Sequence, residues 1–170
     1  MSRTSIYTAA LAALALIGNA PAMAQDTEAS ADGPGFTIAA HHVGISVPDL
    51  DASIEWYHRM LGFELVRKMS KPEDPEMDFA LITNGSFNIE LFAVVEDRPM
   101  PDYRFDPTAD LYVHGVKHLA FEVDDAVAAA EELAAKGATV LLGPVVTERT
   151  TYVFIADNAG NPFELIEFKE

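Results

Sequence analysis

Four side chains with metal-ligating and acid–base chemistry recur at matched spacings: His42, Glu90, His118 and Glu164. The histidines stand 76 residues apart and the glutamates 74, so His leads Glu by 48 residues in the first half and by 46 in the second. Val47 and Val123 keep the same 76-residue offset. The 170-residue chain has no cysteine. Thiolate zinc sites, cysteine nucleophiles and disulfides are therefore excluded, and any metal must be held by nitrogen and oxygen. A neutral imidazole and a carboxylate both ligate divalent cations, and a carboxylate is also a general base. A lone His or Glu on a strand is ordinarily exposed or hydrogen-bonded. A duplicated His…Glu order is explained at once by four ligands on one cation, with Zn, Ni, Co, Mn and Fe(II) all compatible with nitrogen and oxygen donors.

Positioning these groups calls for strands, and the hydropathy pattern supplies them twice. In the first copy Thr37–Val47 is β-rich. Asp49 or Asp51 caps a helix whose apolar side is Ile54, Trp56, Tyr57, Met60 and Leu61, and Gly62 ends it. Phe63–Met69, Asp78–Thr83 and Phe87–Val95 read as strands, the last two joined by the hairpin signal Asn84-Gly85. In the second copy Val116–Val123 is the opening strand. Asp124 or Asp125 caps an alanine-rich helix over Val127–Lys136, and Ala138–Leu142, Thr151–Ala156 and Pro162–Phe168 follow as strands. The expected fold is α+β: paired βαβββ modules, each too small to bury a full core alone.

Alternation along a strand sorts side chains by face. Val43, Ile45 and Val47 face the helix, and His42 lies with Gly44 and Ser46 on the other side; His41 falls in register with the valines, away from any cavity. Glu90 opposes Ile89, Leu91 and Ala93; His118 opposes Leu119, Phe121 and Val123; Glu164 opposes Phe163 and Leu165. If each sheet curves away from its helix, the two imidazoles and two carboxylates line one hollow. Trp56 and Tyr57 belong to the core. Tyr103, Arg104, Tyr112 and His114, in the Pro-rich connector, are candidate substrate contacts, whereas Arg67 and Arg149 read as solvated.

The stretch HHVGISVPDLDASIEWYHRMLGFEL, then IELF around Glu90, VKHLAFEVDD around His118 and DNAGNPFELIE around Glu164, resembles the vicinal-oxygen-chelate superfamily of glyoxalase I, methylmalonyl-CoA epimerase, extradiol dioxygenases and bleomycin-resistance proteins. The resemblance spans Phe36 to Phe168. It implies paired modules around one metal, with His42, Glu90, His118 and Glu164 as ligands. The set is most similar to bacterial glyoxalase I. That likeness implies a lyase or isomerase acting on a small substrate with vicinal oxygens through an enediolate, with Glu164 as the base and Glu90 the second candidate. An extradiol dioxygenase, which uses two His and one carboxylate, and a non-catalytic binding or resistance protein are the alternatives.

Residues 1–24 read as a secretory signal: Arg3, the uncharged run Ile6–Ile17, and Ala22-Met23-Ala24 before the cleavage point. Residues 25–36 form a polar leader, and 37–170 the folded unit, with module one at 37–95, a connector at 96–115 and module two at 116–170. The chain is then exported, in a bacterium to the periplasm. Eleven Lys and Arg against 27 Asp and Glu give a formal charge of −16, which argues against nucleic acid and against lasting attachment to an anionic membrane once the signal is removed. The expected partners are a small-molecule substrate and a second copy in a homodimer.

Overall fold

The structure, a computed structural model, describes residues 39–71 and 74–170, with the side chains of 71–76 left aside. The signal, the leader and the start of the first strand at Thr37 lie outside the described residues.

Two four-stranded mixed sheets, each with a helix against it, make the two expected modules. Module one contains β1 (Val43–Ser46), α1 (Leu50–Leu61), β2 (Glu64–Lys71), β3 (Asp74–Thr83) and β4 (Asn88–Val94). The connector folds into a 3-10 turn (Asp102–Phe105) and a one-turn helix α2 (Pro107–Asp110). Module two contains β5 (Leu119–Glu122), α3 (Ala126–Ala135), β6 (Thr139–Val146), β7 (Thr150–Ala156) and β8 (Pro162–Phe168). Strand orders are β1-β4-β3-β2 and β5-β8-β7-β6. In each sheet the first strand runs parallel to the last, and the other pairs are antiparallel.

Local chemistry sets the element ends. The Asp49 carboxylate accepts from the Ala52 amide at 2.9 Å, and Asp125 accepts from Val127 and Ala128. Both satisfy amides that an uncapped helix start leaves unpaired. Gly62, at φ 69°, ends α1 in a left-handed conformation that other residues resist. The Asn84 side chain accepts from the Ser86 and Phe87 amides, closing the turn between β3 and β4.

Opening strands are shorter than the apolar runs suggest. β1 begins at Val43 and β5 at Leu119, so His42 and His118 each sit one residue before the first laddered position. β3 and β6 are longer than expected, reaching back to Asp74 and on to Val146.

The modules share one core. Ile82, Ile89, Leu91, Val153, Ile155 and Leu165 are at most 2% exposed, each contributing about 1.5–3 kcal/mol by burial. Helix α1 joins the halves: Trp56 meets Phe163 edge-on at 6.0 Å, Tyr57 donates to Asp157 at 2.8 Å, and Asn158 donates to Ser53 at 3.0 Å. Burial pushes the Tyr57 hydroxyl well above its ordinary value, with the neighbouring Asp157 carboxylate adding to the shift. Burial also raises Asp157, against hydrogen bonds from Asn161, Tyr57 and Ala159 that pull it down.

Candidate metal centre

Each half presents one imidazole to one carboxylate with the same geometry. His42 Nε2 is 3.2 Å from Glu90 Oε2, and His118 Nε2 is 3.2 Å from Glu164 Oε2. The register is repeated too. Gly44 faces Glu90 across β1–β4, and Ala120 faces Glu164 across β5–β8. In both modules the histidine lies two residues before the small residue opposite the glutamate, and its Nε2 reaches that glutamate's carboxylate. At Gly44 the Phe92 ring lies where a side chain would stand, since a Cβ there would come within 3.0 Å of Phe92 Cε2.

The face assignments hold: Ile89, Leu91, Phe163 and Leu165 enter the core, while the four candidate ligands lie on the opposite faces. The second pair is the deeper. The side chains of His118 and Glu164 are 17% and 8% exposed, against 37% and 18% for His42 and Glu90.

The pairs remain separate within one chain: among the described residues no group of three or more His, Cys, Asp or Glu is placed to hold a metal ion. The donor types suit a borderline divalent cation, but one chain brings together two donors at a time.

Two residues near these pairs escaped the sequence reading. His41 Nδ1 lies 2.7 Å from His42 Nδ1, with the rings edge to face. Alternation had turned His41 away, but alternation applies inside a strand, and both histidines precede β1. Tyr152 shares the Glu164 face, beside Phe154, which meets the His118 ring edge-on at 4.8 Å. Its hydroxyl is buried without a hydrogen-bond partner among the described residues. Burial, and then the Glu164 charge, raise its pKa. A tyrosine in an apolar strand reads as core, and its sequence carries no sign of an orphaned hydroxyl.

Of the connector candidates, Tyr103, Tyr112 and His114 are exposed. Arg104 is committed to backbone carbonyls of Val116 and Lys117. Arg67 and Arg149 are exposed, as expected. A cavity of about 670 Å³ runs between β1, the connector and the start of β5, with Ser46, Met100, Phe105 and His118 among its walls. Of the four candidate ligands only His118 lines it.

Comparison with known proteins agrees with the fold. Residues 39–165 match the family model described as the Glyoxalase/Bleomycin resistance protein/Dioxygenase superfamily. A lactoylglutathione lyase of Haemophilus influenzae is 34% identical over 132 residues, covering 75% of this chain and 91% of that protein. The uncharacterised protein YaeR of Escherichia coli is 35% identical over 131 residues, covering 75% and 94%. Among solved structures, a glyoxalase family protein from Enterococcus faecalis superposes with a TM-score of 0.62 at 26% identity, covering 76% of this chain and 97% of that one. Two mixed sheets in βαβββ order, a His–Glu pair on each and a match over nearly all the described residues place this chain in the glyoxalase/bleomycin resistance protein/dioxygenase superfamily.

Proposed function

We propose that the chain is an exported glyoxalase-like lyase or isomerase, acting on a small substrate with vicinal oxygens in a site that holds one divalent cation. The observation that carries this reading is the paired geometry: two His–Glu couples at 3.2 Å in equivalent registers, in a chain whose relatives include lactoylglutathione lyases. Because neither couple is a full ligand set, we propose that His42 and Glu90 of one copy face His118 and Glu164 of a second. When bound, the cation supplies Lewis-acid polarisation of two substrate oxygens.

The chain's own part is proton transfer. Glu164 takes the proton from the substrate carbon and returns it to the neighbouring carbon. Its position beside His118 in a mostly buried strand keeps bulk water from competing. Glu90, more exposed, is the ligand partner of His42 and the alternative base. A dioxygenase-type site of two His and one carboxylate would leave one of these glutamates without a role.

Metal analysis of protein purified without added metal, followed by methylglyoxal plus glutathione with Ni and then Zn, tests the proposal. Turnover with about one cation per assembled site supports it. Ring opening of catechol with Fe(II) and oxygen would move the chain to the dioxygenase branch. Tight metal binding with silence in both assays would make it a binding protein.

A further inference from the structure

Each candidate histidine follows a carbonyl that a side chain holds. In module one, Asn88 Nδ2 donates to the His41 carbonyl at 2.8 Å. In module two, Arg104 Nη2 donates to the Lys117 carbonyl at 3.1 Å and to the Val116 carbonyl at 3.1 Å. The His41 carbonyl shares a planar peptide with the His42 amide, and the Lys117 carbonyl shares one with the His118 amide. Fixing those oxygens fixes the planes from which the two imidazoles project. The ladder, which starts one residue later in both modules, holds only the far side of each histidine.

The donors come from different places, and the sequence gives the reason. Asn88 stands two residues before Glu90. The residue two before Glu164 is Pro162, which has no side-chain amide to offer. The connector supplies the missing donor and holds it in place. Asp110, 3% exposed, has Arg104 Nε at 3.6 Å and Lys117 Nζ at 3.4 Å from its carboxylate oxygens. Lys117 Nζ also donates to the Asp110 carbonyl at 2.8 Å and to the Val113 carbonyl. A carboxylate buried this deeply is costly without such partners, so the network has two discrete ends: an anchor at Asp110 and a grip on the peptide before His118.

We infer that Asn88 and the Arg104–Asp110 clamp are positioning residues, each aiming the imidazole of its own module toward the neighbouring glutamate. The connector is thus a brace for His118 as well as a wall of the cavity beside it. Ligand distances in a metal site tolerate only about 0.2 Å of error, so loss of either brace weakens metal retention although neither residue touches the metal. That consequence rests on the metal reading proposed above; the aiming of the rings does not.

The test uses the full chain, metal-free and ¹⁵N-labelled, with the imidazole signals of His42 and His118 assigned. Arg104→Ala and Arg104→Lys should shift the His118 ring signals and leave those of His42 in place. Arg104→Lys keeps a charge for Asp110 but loses the fork, so it answers the question if the alanine variant folds poorly. Asn88→Ala should do the reverse. Zn²⁺ affinity, measured by chelator competition, should fall about tenfold or more in each, and Arg98→Ala, an exposed connector change, should alter neither readout. Signals that move together in both variants, or stay fixed while the melting temperature falls, overturn the inference and leave the network a general stabiliser. Wild-type protein that binds no Zn²⁺ defeats the metal reading, while the ring signals still decide the bracing.

Discussion

The hydroxyl of Tyr57, on the helix of module one, donates to the carboxylate of Asp157, in the last hairpin of module two, at 2.8 Å. Both groups are buried, so this contact ties the halves through their common interior. Tyr57→Phe should destabilise the chain by about 1–2 kcal/mol at neutral pH, read from urea unfolding. The pH dependence follows from the raised tyrosine value. Stability drawn from the protonated phenol is whole below the unfolded value near 10 and is lost as pH rises through the higher folded value. Over that window wild-type stability should fall by about 1.4 kcal/mol per pH unit from this group, and the phenylalanine variant should lack that component.

His118→Ala should leave a folded chain that no longer retains metal. Circular dichroism matching the wild type together with loss of bound metal is the expected pair of results. Unchanged metal content would remove His118 from the centre.

If the site spans two copies, His42→Ala and His118→Ala chains should rescue one another. A mixed twofold dimer carries one intact site and one doubly damaged site, so random mixing should restore about a quarter of wild-type metal binding. No recovery after unfolding and refolding the two variants together would show that the four groups must come from one chain.

Gly44→Ala should cost about 1 kcal/mol. A Cβ at Gly44 would meet Phe92 Cε2 at 3.0 Å, so the ring must give way. Pairing the change with Phe92→Leu should recover much of the loss, visible as non-additive melting temperatures.

Tyr152→Phe removes a buried hydroxyl that has no hydrogen-bond partner among the described residues, so the melting temperature should hold or rise slightly. A fall of several degrees would mean that the hydroxyl is satisfied in solution, for instance by an ordered water.

The N-terminal reading stands apart from the fold. Fractionation of expressing cells should recover a chain starting at Gln25 outside the cytoplasm. A full-length cytoplasmic protein would refute it.

Much of this architecture was legible because it rests on short-range rules. Alternation sent Ile89 and Leu91 inward and Glu90 to the other face; Gly62 marked the end of α1, and of the two candidate caps, Asp49 and Asp51, the structure uses Asp49. The 76-residue offset paired the modules. Other features depend on approach in three dimensions. Nothing local to Arg104 says that its guanidinium will reach the carbonyl before His118, since that contact depends on how α2 returns to β5. Nor does spacing along the chain say whether two equivalent His–Glu couples share one pocket.

Helix α1 lies against Phe163 as well as its own sheet, with a consequence for either half on its own. A solitary βαβββ unit would turn Trp56 toward water and would have to self-associate to hide it. With two such units in one chain the aromatic wedge sits between them, so removing either would uncover the apolar face of the other.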